Sequence, residues 1–295
     1  MVYARGVSPT GTPSAATYSA VATIDARPAI ACNPTTGELL LAWNSSVLAF
    51  SATKLTQDAA GDLTDSLLST LLTGLNLGQN PAVAYNRNAD EYLLAFTRHN
   101  GTDQDVYAHT LSGNLLTLAN PTQLIAGGPG NQIAPAVASQ SRHGALANVT
   151  SLPTNDKEFL VAWEDHQAGD AIRARRVPSG PAPTPYTAQL IAMGNGSFRP
   201  RVDYMPSVKN AANQYLDNAD HYLVAWEQPN GEASSVRVRR VSAGVNQPLD
   251  NRGELTLYEG AGANGEAAVW ADPAHADYVV VWQQAGVAVQ RSIVP

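Results

Sequence analysis

The chain has 295 residues and a formal net charge of −7, and 44% of its residues are hydrophobic, which is enough for a sizeable core. Charged residues make up only 15%, against ~25% in a typical globular protein, which excludes a charge-driven disordered chain. The acidic balance argues against nucleic acid or an anionic membrane as the main partner, because phosphate binding needs a basic field.

The N-terminal stretch from Met1 to Gly6 has none of the features of a signal peptide and leads directly into a predicted strand. No apolar run reaches the ~18 residues that a transmembrane helix requires. The low charge leaves a surface rich in Ser, Thr, Asn and Gln, which is common in extracellular proteins. We therefore expect an extracellular or cell-surface location.

Five copies of one segment recur along the chain at intervals of roughly 60 residues, which indicates a repeat architecture. Each copy has a polar residue, a run of apolar residues and a closing Trp or Phe. The copies are Glu38–Trp43, Glu91–Phe96, Glu158–Trp163, His221–Trp226 and Asp277–Trp282. A continuous apolar run of this length is typical of a strand that is buried on both faces.

Three further segments accompany the copies. A short segment precedes each one: Pro28–Ala31, Pro81–Ala84, Pro135–Ala138, Pro200–Asp203 and Ala267–Trp270. Alternating segments follow, as in Val106–Thr110, Ile172–Val177, Val236–Val241 and Val287–Arg291. A last segment closes the unit, as in Thr122–Ala126 and Ala188–Ala192. In this order they are strands A to D of one propeller blade, with A innermost.

Five such units predict an all-β, five-bladed β-propeller of four-stranded blades in one domain. The expected boundaries are 26–78, 79–130, 131–195 and 196–258 for blades one to four, and 1–25 with 259–295 for blade five. The N-terminal stretches Tyr3–Val7 and Thr17–Val21 match strands C and D, and the C-terminus supplies A and B. Combining the terminal strands closes the ring and removes its free edges.

The C-terminus also carries its own strand C, so one strand C is left over. Three explanations stay open: the extra strand lies at the blade edge of its own molecule, the chain is a piece of a longer array, or the strand pairs with a neighbouring molecule. The third predicts a homo-oligomer with the interface candidates Val2, Tyr3, Ala4, Val7, Val287, Val289 and Arg291.

The repeat resembles the degenerate blade repeats of large secreted bacterial proteins. Their pattern is Pro-x-Val-Ala-Tyr, a polar turn, Tyr-Leu-Val-Ala-Trp and an Arg-bearing strand with a Gly-containing turn. The resemblance covers essentially the whole chain and implies blade architecture, with no catalytic residue to carry over. The period is also similar to that of lectin propellers and of five-bladed glycosidases.

Polar or large residues interrupt strand A in two blades. Arg201 and Asp203 replace small residues in blade four and, at positions i and i+2, share one face. They predict either a polar site near the axis or a mutually satisfied buried ion pair. Trp270 replaces an Ala in blade five, either as a platform for a sugar ring or as core filling.

Arginine repeats in strand C of blades three and four, at Arg173, Arg175, Arg237 and Arg239. Guanidinium groups bind carboxylates and sulfates through paired hydrogen bonds, so these residues are candidates for glycan binding. The alternative is an outer strand whose arginines pair with nearby acids. The histidines lack the spacing of metal ligands and no phosphate-binding glycine loop is present, so we expect neither a metal nor a cofactor.

Two other features stand apart from the repeat. The connections between strands A and B are long in blades three and four, around residues 142–155 and 206–217. Loops of this kind often carry function, so they are candidates for an interface. The single cysteine, Cys32, is expected to be a small buried filler of strand A.

A catalytic centre is not evident, because strand A lacks the paired acids that a glycosidase of this architecture would need. We therefore expect a non-enzymatic extracellular propeller, a structural or adhesive module that self-assembles head to tail through strand exchange into a filament or array. A carbohydrate-binding lectin with a surface glycan as its partner is the alternative. A carbohydrate-active hydrolase is the third reading.

Overall fold

The computed structural model is a five-bladed β-propeller of antiparallel strands, as the repeat predicts. The structure describes residues 1–7, 12–14, 17–20, 27–46, 49–58, 62–73, 80–113, 122–140, 157–167, 169–180, 184–193, 196–206, 220–230, 233–243, 249–261, 264–273, 275, 277–284 and 286–293. The candidate loops 142–155 and 207–217 lie outside these residues. Within the described ranges no helix is long and apolar enough to cross a membrane.

Blades one and two each have four strands, ordered from the propeller axis outward. Blade one consists of β3 (Ala29–Asn33), β4 (Glu38–Ser46), β5 (Ala49–Gln57) and β6 (Leu63–Thr73). Blade two consists of β7 (Ala82–Asn86), β8 (Glu91–His99), β9 (Gln104–Ser112) and β10 (Gln123–Ala126). The inner strands β3 and β7 pack against each other across the interface between the two blades.

Blades three and four repeat this order. Blade three consists of β11 (Gln132–Ser139), β12 (Glu158–Asp165), β13 (Ala171–Pro178) and β14 (Gln189–Ala192). Blade four consists of β15 (Phe198–Met205), β16 (His221–Asn230), β17 (Ala233–Ser242) and β18 (Leu249–Ala261). Strand β12 is buried along its whole length, because blades pack on both of its faces.

The hydrophobic core is divided among the interfaces between blades. Leu40 and Leu94 belong to the cluster between blades one and two, and Leu160 and Trp226 to the cluster between blades three and four. The repeated aromatic residue of strand B is buried in all five blades, with at most 4% of its surface exposed. The five-copy segment is therefore the packing unit of the propeller.

The fifth position differs in detail from the sequence prediction. The strands β19 (Asn264–Asp272), β20 (Asp277–Gln284) and β21 (Val287–Ile293) form one sheet. The N-terminal strands β1 (Val2–Ala4) and β2 (Tyr18–Ala20) pair with each other in a second sheet. The physical reason is that β21 pairs with β20 along its length and occupies the edge that β1 would use.

The N-terminal hairpin β1–β2 packs on the outer part of blade one. Val2 is buried in a cluster with Leu41, Trp43 and Leu55, and Tyr18 packs against the same cluster. The hairpin thereby covers the face of blade one that points away from blade two. Both candidates for strand C, β1 and β21, thus have a pairing partner within this chain.

Cys32 is exposed, so the prediction of a buried filler is wrong. Its neighbour on the same face of β3, Ile30, is 52% exposed. In blade two the equivalent residue, Val83, packs against the preceding blade. The difference arises because the hairpin covers β4 and β5 and leaves this face of the inner strand open.

Candidate functional site

The entrance of the inner strand has an unusual backbone in four blades. Asn80, Ala134, Arg199 and Glu266 each have a positive φ, between 38° and 73°. Each residue directly precedes the Pro or Ala that opens strand A. In blades three, four and five the pairing register shifts at this point, as in a β-bulge. The four side chains therefore lie at equivalent places around one end of the axial channel, here called the channel mouth.

A residue other than glycine adopts the left-handed backbone conformation at a cost of about 1–3 kcal/mol, and it keeps this conformation where the surrounding structure stabilises it. At Arg199 the surroundings are specific. Its backbone N–H donates to Oε1 of Glu164 at 2.7 Å. Glu164 directly follows the aromatic residue that ends the apolar run of β12. The end of strand B in blade three thus holds the entrance of strand A in blade four.

Glu227 occupies the position of Glu164 one blade further on. Its side chain is fully buried, and Nη1 of Arg199 lies 3.6 Å from its Oε2. The backbone N–H of Ala267 donates to Oε1 at 3.4 Å. Arg199 therefore connects the two carboxyl groups, Glu164 through its backbone amide and Glu227 through its guanidinium group.

The electrostatics of Glu227 distinguish it from an ordinary surface acid. Burial raises the pKa of its carboxyl group above the usual range, although Arg199, the Ala267 amide and Arg201 act in the opposite direction. The neighbouring Glu266 raises it further. A raised pKa increases the protonated fraction, which is the property that a general acid needs.

His166 completes the cluster on the side of blade three. Its Nε2 lies 3.2 Å from Oε2 of Glu164, and its Nδ1 is hydrogen-bonded to Oδ1 of Asp170. Burial by itself lowers the pKa of His166, but the hydrogen bonds to Asp170 and Glu164 outweigh it and leave the pKa raised. The imidazolium form is therefore favoured, and it fixes the orientation of the Glu164 carboxylate.

We call Glu164, His166, Asp170, Arg199 and Glu227 the mouth cluster. Sequence reasoning missed it because the search for paired acids was restricted to strand A and its entrance. The signal was present one residue after the repeated aromatic, where the blades carry Asn44, Thr97, Glu164, Glu227 and Gln283. Acids occupy this position only in blades three and four, which places them at equivalent positions of neighbouring blades.

Arg201 and Asp203 lie on one face of β15, as the spacing predicts, and that face points to blade five. Their register partners Ala225 and Leu223 belong to the cluster between blades four and five. Asp203 accepts hydrogen bonds from the backbone N–H of Ala271, at 2.7 Å, and of Tyr204, at 2.8 Å. The Asp203 carboxylate therefore joins the inner strands of the two blades.

The Arg201 guanidinium group donates to the carbonyl oxygen of Pro200 at 3.0 Å. It lies close enough to Glu227 to affect the pKa of that carboxyl group. Trp270 lies on β19 on the face that points away from blade four, and 59% of its surface is exposed. The three candidates of strand A thus lie on the inner strands of blades four and five, with Arg201 close to Glu227 of the mouth cluster.

The arginines of strand C lie further from the axis, and most of them join structural elements. Arg173 pairs with Asp165 at 2.5 Å, and Arg237 pairs with Glu254. Arg239 donates to the carbonyl oxygen of Ile191 in the preceding blade at 2.9 Å. These contacts fit the alternative of a paired outer strand.

Arg175 is half-buried in the same strand as Arg173, and burial lowers the pKa of its guanidinium group. It faces blade two, since its register partner Val161 belongs to the cluster between blades two and three. This position gives a ligand little access to the Arg175 guanidinium group.

The terminal interface candidates divide into two groups. Val2 and Ala4 face blade one, and Val289 packs against the cluster between blades four and five. Arg291 donates to the carbonyl oxygen of Leu257 at 3.1 Å. Three of the candidates are exposed: Tyr3, Val7 and Val287.

The part of the chain that the structure describes has no evident metal site. No group of three or more His, Cys, Asp and Glu side chains is arranged to hold a metal ion there. The mouth cluster instead has its acids occupied by an imidazole, a guanidinium group and backbone amides.

No known family model matches this sequence. No curated protein matches it either. Among solved structures, an endo-arabinase from Bacteroides thetaiotaomicron is 14% identical, with 90% of this chain and 91% of that chain covered and a TM-score of 0.45. An endo-1,4-β-xylanase from the same organism is 7% identical, covers 78% of this chain and 76% of its own, and has a TM-score of 0.42. At these values the likeness assigns no activity and no residue role to this chain.

Among the expectations from the sequence, that of a non-enzymatic structural or adhesive module, and with it the conclusion that the chain is no enzyme, is not upheld: two of the similar structures are an endo-arabinase and a xylanase. Self-assembly into a filament has no support in these findings. The prediction rested on the lack of paired acids in strand A, whereas Glu164 and Glu227 follow the aromatic residue of strand B.

Proposed function

We propose that this chain is a carbohydrate-active hydrolase whose reaction takes place at the channel mouth. The observation that carries the proposal is the pairing of two carboxyl groups through Arg199, one of them buried with a raised pKa. Hydrolysis of a glycosidic bond commonly uses two carboxyl groups in different protonation states. In the mouth cluster, burial raises the pKa of Glu227, and Glu164 lies at the equivalent position of the adjacent blade.

The two acids take different roles in this proposal. Glu227 keeps its proton at a higher pH than an ordinary glutamate and donates it to the leaving-group oxygen. Glu164 is held by the Arg199 amide and by His166 in a fixed orientation. On the opposite side of the scissile bond it takes a proton from a water molecule, whose oxygen forms the new bond to the anomeric carbon. Asp170 keeps His166 in position through the hydrogen bond to Nδ1.

Arg199 controls access to the general acid. Its guanidinium group is about half exposed (47%) and covers the fully buried Glu227. A sugar hydroxyl that accepts a hydrogen bond from Arg199 draws the guanidinium group away from the carboxyl group. This raises the pKa of Glu227 further, because it weakens the ion pair that favours the charged form.

The partner in this proposal is a polysaccharide outside the cell, either soluble or on a surface. The low charged fraction and the resemblance to blade repeats of large secreted bacterial proteins motivate this location. Trp270 is a candidate platform for a sugar ring along the channel, because a large part of its indole is exposed. The location is tested by measuring whether the protein is found outside the cell that makes it.

The test is turnover on a panel of plant and bacterial polysaccharides, measured as the release of reducing ends. Removing a general acid lowers kcat by roughly 10²–10⁴-fold, so Glu227→Gln should lose activity by this amount. The variant keeps the volume of the side chain and one acceptor oxygen for the Ala267 amide. Its thermal melting curve should therefore show a folded protein.

Glu254→Gln is the matched control, because Glu254 pairs with Arg237 on the outer strands of blade four, away from the mouth. It should retain wild-type turnover. The proposal is refuted if the wild-type protein releases no sugar from any member of the panel, or if Glu227→Gln retains full activity. In the latter case Glu227 serves only to hold the entrance of blade five.

A further inference from the structure

The inner strands of neighbouring blades pack against each other at four interfaces, which join β3 to β7, β7 to β11, β11 to β15 and β15 to β19. Among the described residues, β19 and β3 make no contact of comparable extent. The fifth interface of the ring, between blades five and one, is therefore open in this structure. Each of the two blades has one face there that the other blade does not cover.

The face of blade five that points toward blade one is apolar and incompletely covered. Strand β20 alternates between buried Tyr278, Val280 and Trp282, which face blade four, and half-buried Val279 and Val281 on the opposite side. The residues equivalent to Val279 in blades two, three and four are almost completely buried: Leu93, Leu160 and Leu223. Blade five thus has the same apolar face as the other blades, without the neighbour that covers it.

The face of blade one that points toward blade five is covered only in its outer part. Leu41 and Trp43 lie under the N-terminal hairpin and are buried. On the inner strand, Ile30 and Cys32 remain exposed. In blade five the equivalent of Ile30, Val269, packs against the preceding blade. The open part of blade one therefore corresponds to the place that an inner strand occupies in the other interfaces.

We propose that the ring closes by docking of blade five on this open part of blade one, beside the N-terminal hairpin, so that the two blades form a seam that opens and closes. The occupant is identified by continuity with the four interfaces already formed by the same faces. This inference concerns the scaffold and does not depend on the proposed reaction.

The equivalence of the blades specifies which residues meet at the seam. Between blades four and five, the side chain of Asp203 reaches the backbone N–H of Ala271 at 2.7 Å. One blade further on, Trp270 stands in the place of Asp203 and Cys32 in the place of Ala271. Closure therefore brings Trp270 next to Cys32, both of which are exposed in the open form.

Closure also completes the channel mouth. Arg27, which precedes Pro28 in blade one, donates from Nη1 to Oδ1 of Asn80 at 2.6 Å and is otherwise exposed. Glu266 holds the equivalent place in blade five and is exposed as well. In the closed ring these two opposite charges become neighbours.

The test uses Cys32 as the only native cysteine of the chain. In Trp270→Cys, mild oxidation should form an intramolecular disulfide between positions 32 and 270, identified by peptide mass spectrometry and by faster migration on a non-reducing gel. Val287→Cys is the control, because Val287 is exposed on β21 at the other side of blade five. It should give no intramolecular crosslink under the same conditions.

Two outcomes overturn the proposal: no intramolecular disulfide in Trp270→Cys, or a crosslink that forms only between molecules. A second measurement on the unaltered protein guards against a variant that fails to fold. Cys32 of the native protein should react with a maleimide at least ten times more slowly than the same thiol after denaturation, since the closed ring covers it. Equal rates would show that the seam stays open.

Discussion

From the contacts of the Asp203 carboxylate we predict how much its removal lowers the free energy of unfolding. Asp203→Ala removes the acceptor of the Ala271 amide in blade five and of the Tyr204 amide in its own strand. A hydrogen bond to a charged group contributes about 1.5–3 kcal/mol. The bond to Tyr204 is local, so we expect a total loss of about 3 kcal/mol in the free energy of unfolding.

Unfolding entropy of about 2.1 cal/mol/K per residue, applied to 295 residues, converts this loss into a decrease in Tm of about 5 °C. Differential scanning calorimetry measures it directly. Asp203→Asn keeps one acceptor oxygen and should lose about half as much. Asp103→Ala, at a half-buried turn position, is the control and should change stability by less than ~0.5 kcal/mol. A change of that small size in Asp203→Ala would refute the role of Asp203 as a joint between blades.

Three further predictions concern the mouth cluster and the core. The raised pKa of Glu227 stabilises the folded state below its unfolded pKa of about 4.3, and this stabilisation is lost as the pH rises through the folded pKa. Urea titrations should therefore show Glu227→Gln gaining stability over wild type between pH 4 and pH 7, and a constant difference would contradict this. His166 also has a raised pKa, so its contribution is complete below about pH 6.5 and disappears above the folded pKa; the deficit of His166→Gln should shrink toward pH 8. Trp226→Ala empties a fully buried site and should cost about 3–5 kcal/mol in the same assay, and a loss below 1 kcal/mol would mean that the interface collapses around it.

The fold was predictable because each copy of the repeat contains the apolar pattern of a strand that packs on both faces. A strand that is covered on both faces needs a continuous apolar run, and five copies of that run give five blades. The segment Glu158–Trp163 shows this directly, since every residue of it is buried. Position along the chain was sufficient here, because strands of one blade are consecutive in sequence.

The fifth position was harder to predict for a physical reason. The sequence shows that β1 and β21 both have the pattern of strand C, but it does not show which of them binds the edge of β20. That choice depends on a competition between two pairings. In the structure β21 holds the edge, and the hairpin uses its apolar side chains, such as Val2, on blade one instead.

The mouth cluster was not predictable from the repeat, because it consists of departures from the repeat. Glu164 and Glu227 share a position with Asn44, Thr97 and Gln283, so no common residue type identifies it. The contact of Glu164 with the Arg199 amide depends on a backbone bulge, which has no signature in these residues apart from the following Pro200. Spacing within one strand is visible in a sequence, whereas neighbours across two blades are visible only in three dimensions.

At the entrance of strand A the backbone conformation is shared between blades, whereas the side chains differ. Asn80, Ala134, Arg199 and Glu266 hold the same left-handed backbone with an amide, a methyl, a guanidinium and a carboxylate group. The main-chain geometry at these places is thus independent of the side chain that it presents. A substitution at one of these places changes the chemical group at the channel mouth without requiring a different main-chain conformation.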